Sequence, residues 1–252
     1  MFRLVQYKRV RVEEGIAVAG FPGMGYVGKT VVESLITKLG AEHVASIYST
    51  GFPSHLMVDG SGLANLIAIN IYLARTDGKN LILVSSDIQP HEDNEQNKLS
   101  FVIAKYLKRI GVREIITGAA FVTEPIVENR RVFVAATDRE TVKKFVEHGA
   151  VPLQEGVISG MNGVLIGWGK VLGMDGACVL GETWRSIVEL NYVDYGAAKS
   201  VLEVLSRVLE IRLDLRDLEE KARIVEDRIR KIMERSAPPR EAKEGERSFY
   251  IT

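Results

Sequence analysis

Along the first two hundred residues, short apolar runs rich in β-branched side chains alternate with amphipathic stretches, and this alternation limits the chain to few architectures. Ile16–Phe21, His43–Tyr48, Leu66–Leu73, Leu81–Val84, Glu114–Phe121, Val132–Ala136 and Ala177–Leu180 read as strands. Between them, Tyr26–Leu39 carries Val27, Val31, Leu35 and Leu39 four apart, and Lys98–Ile110 gathers Leu99, Val102, Ile103, Tyr106, Leu107 and Ile110 on one side. Both spacings are helical. Gly111 follows the second helix where a left-handed backbone is needed. Asp138 is placed to cap a third helix running to Glu147, closed by Gly149. Strands that are apolar on both faces need cover on both sides. The expectation is an α/β fold, a mostly parallel sheet flanked by helices, in one core domain over residues 1–212.

The chain has 252 residues, of which 46% are apolar, enough to build such a core. No run of 18 apolar residues suggests a membrane span, and Met1-Phe2-Arg3-Leu4 does not open a secretory signal. The single cysteine, Cys178, sits in an apolar run and reads as a small buried side chain; no intrachain disulfide can form. A cytoplasmic protein is expected. Lys plus Arg and Asp plus Glu each number 33, so no electrostatic footprint points to nucleic acid or an anionic membrane.

A different regime begins near residue 207, where acids and bases alternate. Val208, Ile211, Leu215, Leu218, Ala222, Val225, Ile229 and Ile232 recur in steps of 3 and 4. That is a heptad seam. It predicts a C-terminal helix over 213–235, either laid on the body or pairing with another subunit, with Leu215, Leu218, Ala222, Val225, Ile229 and Ile232 as the oligomer seam. Pro238-Pro239 must end the helix, and the charged stretch Arg240–Arg247 has no large apolar side chain to bury. Residues 236–252 are therefore expected to form a flexible tail with an apolar tip, Phe249-Tyr250-Ile251-Thr252, suited to binding a partner.

Gly23 to Thr30 satisfies two motifs at once. Gly23, Gly25 and Gly28 fit the dinucleotide fingerprint, and Gly23 with Gly28-Lys29-Thr30 fits the phosphate-binding loop. Both place glycines between a strand and a helix N-terminus, where backbone amides attract an anion. Neither apparatus is complete. The second strand ends Tyr48-Ser49-Thr50 without the acid that would hold a ribose, and the best candidate to serve a magnesium ion, Asp87, lies three residues beyond the apolar run ending at Val84. A packed tight turn is the preferred reading; an anion-binding loop in a nucleotide-dependent enzyme, of the phosphate-loop or ATP-dependent ligase kind, is the alternative. In Ser85–Glu95, Asp87, His91, Glu92, Asp93 and Glu95 suggest a hydrolytic or metal site. Yet the chain holds only four His and one Cys, and Asp93, Asn94 and Glu95 suit a helix start. Ser159-Gly160-Met161-Asn162-Gly163 reads as a turn with Asn162 left-handed. No catalytic residue, cofactor or metal is assigned.

Four segments together resemble one family: Gly20-Phe21-Pro22-Gly23-Met24-Gly25-Tyr26-Val27-Gly28, Ser85-Ser86-Asp87, Gly160-Met161-Asn162-Gly163 and Val193-Asp194-Tyr195-Gly196-Ala197-Ala198. Their order is similar to that of the proteasome assembly chaperone family in its archaeal, homo-oligomeric form. The resemblance covers roughly residues 10 to 212. It implies a fold like the nucleoside phosphorylases, no established catalysis, self-association, and the α subunits of the proteasome core particle as partners. It also implies docking of a hydrophobic-Tyr-any tail between α subunits. Phe249-Tyr250 supplies the pair, with two residues rather than one after the tyrosine.

Overall fold

The computed structural model describes residues 1–76, 79–124 and 129–236. The apolar tip, Phe249, Tyr250, Ile251 and Thr252, lies outside the described residues, as does the rest of the expected tail beyond Ser236.

Among the described residues, nine strands form one mixed sheet. In chain order they are β1 (Phe2–Gln6), β2 (Gly15–Gly20), β3 (Glu42–Ser49), then, after a hairpin of β4 (Leu56–Val58) and β5 (Ala64–Leu66), β6 (Ala68–Arg75), β7 (Asn80–Ser85), β8 (Val112–Thr123), β9 (Val132–Ala136), β10 (Val151–Pro152) and β11 (Asp175–Trp184). Their spatial order is β1-β3-β6-β7-β2-β8-β11-β9-β10, and β4 pairs only with β5. The centre β7-β2-β8-β11 is parallel. Next to it, β6 runs antiparallel to β7 and β9 antiparallel to β11. The largely parallel expectation therefore holds at the centre, where strands are apolar on both faces, and gives way to antiparallel pairing on either side of it, with β10 parallel to β9 at the far edge.

Alternating side chains of the central strands feed two cores. On one face, Ala17, Ile82, Ile115 and Cys178 meet Leu99, Ile103 and Leu107 of α2 (Asp93–Ile110) and Met161 and Leu165 of α4 (Met161–Val171). On the other, Val18, Leu83, Ile116 and Val179 meet Val27, Val31 and Leu35 of α1 (Val27–Lys38), Phe145 of α3 (Arg139–Glu147), and Val201, Leu202 and Leu205 of α6 (Tyr195–Leu209). Each fully buried aliphatic side chain of this kind contributes about 1.5–3 kcal/mol. A short helix, α5 (Arg185–Glu189), follows β11, and α7 (Arg216–Ser236) packs against α6.

Local signals set several boundaries. Asp138 caps α3 by accepting the Thr141 N–H at 2.8 Å, as its sequence position predicts. Gly111 and Gly149 adopt φ of 99° and 97° after their helices. Three expectations change. The strand expected over Leu66–Leu73 is two elements, β5 and β6, parted at Ile67. Asn162 is not left-handed: it lies in the first turn of α4, and Gly160, at φ 76°, takes the unusual conformation. The heptad seam is not one helix. Val208 belongs to α6, Glu210 ends that helix at φ 57°, and Ile211 and Leu215 lie in the connection before α7.

Candidate functional site

The segments that looked like isolated turns meet at the carboxyl end of the parallel strands. Phe21 leaves β2 with its N–H held by Asn162 Oδ1 at 2.9 Å and its carbonyl accepting Asn162 Nδ2 at 3.1 Å. Gln89, beyond β7, donates to the Pro22 carbonyl, and its Oε1 accepts the Met161 N–H at 2.9 Å. The Asp194 N–H donates to the Gly25 carbonyl at 2.8 Å. The Gly-rich loop is thereby bound by the loop after β7, the start of α4 and the start of α6.

Its glycines answer to this crowding. A Cβ on Gly28 would lie 2.2 Å from the Gly118 carbonyl oxygen of β8, and one on Gly20 would lie 1.9 Å from the Gly28 oxygen. Real side-chain carbons do not approach so closely, so α1 rests on β2 and β8 through bare backbone. Gly25 has φ 57° beneath Asp194 and Thr183, and Tyr26 follows at φ 52°. Gly23 is extended.

Lys29 leaves the first turn of α1 sideways. Its ammonium meets Asp87 Oδ1 at 2.6 Å and Glu33 Oε1 at 3.2 Å. Burial alone would lower its pKa, but the hydrogen bond to Asp87 and the two carboxylate charges raise it on balance. Thr30 lines a groove of about 320 Å³ between α1 and α7, along with Lys38 and Lys221. In the loop after β7, Asp93 and Glu95 occupy the first turn of α2, where a helix favours negative charge. Among the described residues, no three His, Cys, Asp or Glu side chains converge as a metal site.

A buried ion network stands behind Gly25. Arg130, 3% exposed, donates to Asp194 at 2.7 Å and to Glu226 of α7 at 2.7 Å, and its guanidinium lies 4.4 Å from the Trp184 ring centre. Asp194 also accepts from Thr183 and caps α6 through the Ala197 N–H. Glu182 holds the Arg131 N–H and guanidinium; that hydrogen bonding keeps its carboxyl below the usual range. Sequence reading missed Arg130. Its partners lie 64 and 96 residues away, so no local pattern announces it.

Of the seam residues, Leu218, Ala222 and Ile229 are buried against the chain's own body, Ile229 with Trp184 and Ile187. Val225 packs beside them, Leu215 joins the core before α7 begins, and Ile232 is half-buried. A cleft of about 410 Å³ opens between the Gly-rich loop, β8 and residues 153–160, lined by Met24, Phe121, Leu153 and Val157. It is an apolar recess beside the loop.

The PAC2 family profile matches residues 17–233, from within β2 to within α7. The chain belongs to the PAC2 family. An uncharacterized protein of Methanocaldococcus jannaschii is 28% identical over 222 residues, covering 88% of this chain and 84% of that protein. The crystal structure of Pyrococcus furiosus PbaB, an archaeal proteasome activator, superposes with a TM-score of 0.84 at 28% identity, covering 92% of this chain and 98% of that one. Pyrococcus furiosus PbaA, an archaeal homolog of proteasome-assembly chaperone, shares the fold with a TM-score of 0.77 at 24% identity, covering 93% of this chain and 92% of that one. The PAC2 fold thus accounts for the joint occurrence of the four segments: they are one spatial site. Among the described residues, no helix is long and apolar enough to cross a membrane.

Proposed function

We propose that this PAC2 protein binds the α subunits of the proteasome core particle, as an assembly chaperone or as a binding protein of the mature particle, and performs no catalysis of its own. The similarity to PbaB over nearly the whole length of both chains carries this reading. The site geometry is consistent with it. Lys29, the residue a phosphate loop would need, is engaged by two carboxylates, and every glycine of the loop except Gly23 has a packing or backbone reason to be there.

In this reading the partner-binding residues are Phe249, Tyr250, Ile251 and Thr252. A tyrosine with apolar neighbours is a common interface anchor. One short segment binds weakly because ordering it costs entropy. A homo-oligomer presenting several tails to a ring of α subunits gains through effective concentration. α7 runs from Asp217, paired with Lys38 at the far end of α1, to Ile229 on Trp184 at the carboxyl end of β11. α7 therefore runs toward the end of the sheet where the four family segments meet.

The test is capture of archaeal core particles and free α subunits by the intact chain and by a chain lacking Phe249–Thr252. The expected result is a folded truncated protein whose capture is at least tenfold weaker, equal to about 1.4 kcal/mol. Equal capture would transfer recognition to the folded body. Absence of capture by the intact chain would end the proteasome reading.

A further inference from the structure

The cleft between the Gly-rich loop, β8 and residues 153–160 is kept open by its own residues. Gly23 is part of its lining. The Gly23 backbone is extended, with φ −165°, and a Cβ there would meet nothing nearer than Asn162 Nδ2 at 3.6 Å. Neither conformation nor packing demands a glycine. Asn162 lines the same cleft, so a side chain at Gly23 would take up its room. The wall formed by residues 153–160 is pinned at both ends. The Leu153 N–H donates to the Val134 carbonyl at 2.8 Å, and Ile158 packs against the α2–α4 core. Between these anchors Val157 is 95% exposed, and Met24 of the Gly-rich loop is 51% exposed. The cleft volume of about 410 Å³ is that of a site for a few apolar side chains.

Charge and tethering select the occupant. Glu155 is the one charged side chain lining the cleft, and none of the described residues forms an ion pair with it. A phosphate or an anionic headgroup is repelled there, whereas an apolar segment carrying a cation is attracted. Arg247-Ser248-Phe249-Tyr250-Ile251 is such a segment, an arginine followed closely by three large apolar side chains. It also belongs to the same molecule. α7 lays Ile229 on Trp184, and Trp184 pairs with Thr123, the residue after the Phe121 and Val122 of the cleft wall. The two starting points thus lie on adjacent strands. Residues 237–248 join the end of α7 to the apolar tip. A chain of that length reaches up to about 40 Å, ample for the return. Tethering of this kind supplies an effective concentration in the millimolar range, which lets a short, weak anchor compete with free partners.

We propose that Phe249-Tyr250-Ile251 docks in the cleft of its own chain with Arg247 beside Glu155, an autoinhibitory contact that a proteasome α subunit must displace. The inference rests on the reading of the tip as the partner-binding segment and adds that the free protein holds that segment covered. The apolar side chains supply the affinity. The exposed Arg247–Glu155 pair is worth little by itself and sets the register.

The experiment uses the full chain, without core particles, carrying Ser248→Cys labelled with a polarity-sensitive fluorophore. Cys178 is fully buried, with its thiol pushed up to about 12, so the label goes to position 248. The expected result is blue-shifted emission and protection from acrylamide quenching, both independent of protein concentration. Met24→Lys with Val157→Lys should raise the quenching constant by about threefold or more as the tethered tip is released. Both side chains are exposed, so circular dichroism and unfolding temperature should stay as in the wild type. Glu155→Arg should also release the tip, and adding Arg247→Glu should restore protection, a rescue that general damage to the cleft would not give. A label as accessible in the native chain as in urea overturns the proposal. So does protection that survives the two lysines, a charge swap that fails to restore it, or protection that grows with protein concentration and so places the tip on another copy. Core-particle capture is read separately. An uncovered tip that still captures particles ends this inference and leaves the proposed function standing; a docked tip on a chain that captures none does the reverse.

Discussion

Asn162 closes both backbone groups of Phe21, accepting its N–H at 2.9 Å and donating to its carbonyl at 3.1 Å across a sequence separation of 141 residues. This pair of bonds fixes where the Gly-rich loop departs from β2. Replacing Asn162 by Ala leaves two buried backbone groups without partners. Each such group costs about 1–3 kcal/mol. The expected result is a drop of that size or more in unfolding free energy by urea titration, with the m-value unchanged.

Two glycine substitutions should move stability in opposite directions. Gly28→Ala drives a methyl into the Gly118 carbonyl of β8, and neither backbone can yield cheaply. Overpacking of this kind costs about 1–3 kcal/mol or more. Gly167→Ala, in the interior of α4 with open space around its Cβ position, should stabilise by about 0.5–1 kcal/mol. Thermal unfolding of the two variants side by side checks both signs.

Arg130→Met should be among the more damaging single changes. It removes the counter-charge of Asp194, whose side chain is only 1% exposed, and releases α7 through Glu226. Leaving one partner of a buried ion pair behind costs about 3–5 kcal/mol. Hydrogen exchange should show α7 losing protection more than α2.

Glu182 links stability to pH. Its hydrogen bonds from Arg131 lower its folded pKa. The stabilisation is therefore present above the ordinary glutamate range, near about 4.3, and is lost as pH falls through the lower folded value. Glu182→Gln should be less stable than wild type at neutral pH and show a shallower decline on the acid side. Urea midpoints measured from about pH 7 down to about pH 3 test this.

Lys29→Ala separates the two readings of the Gly-rich loop. Its partners Glu33 and Asp87 are half exposed, so a loss of at most about 1 kcal/mol is expected. ATP turnover should remain at background in both proteins. Hydrolysis in the wild type that the substitution abolishes would restore the nucleotide-enzyme alternative.

Local composition carried much of this architecture. Runs apolar on both faces marked the central strands, because a strand buried between helix layers has no polar side to show. Asp138, Gly111 and Gly149 marked helix ends, because capping and left-handed backbone are local chemistry. The glycines of Gly20–Gly28 were visible as a tight strand-to-helix turn, although the same letters fit two nucleotide motifs.

Tertiary contacts decided the rest. The sequence left α4 unassigned because glycine disfavours an isolated helix; in the fold, Gly163 sits against the Ile158 carbonyl, where a side chain would not fit, and Gly169 lies close against the Ile115 side chain. The 3-4 apolar repeat continues through Glu210, but a spacing rule cannot see the left-handed residue that breaks the helix there. Nor can it choose between a second subunit and the Trp184 and Ile187 side chains that receive Ile229. Asn162, Asp194 and Arg130 find partners tens of residues or more away, so their roles exist only once β2, β8 and β11 are side by side. Periodicity and turn chemistry act over a few residues and are written in the sequence; which distant groups meet is set by how the layers pack.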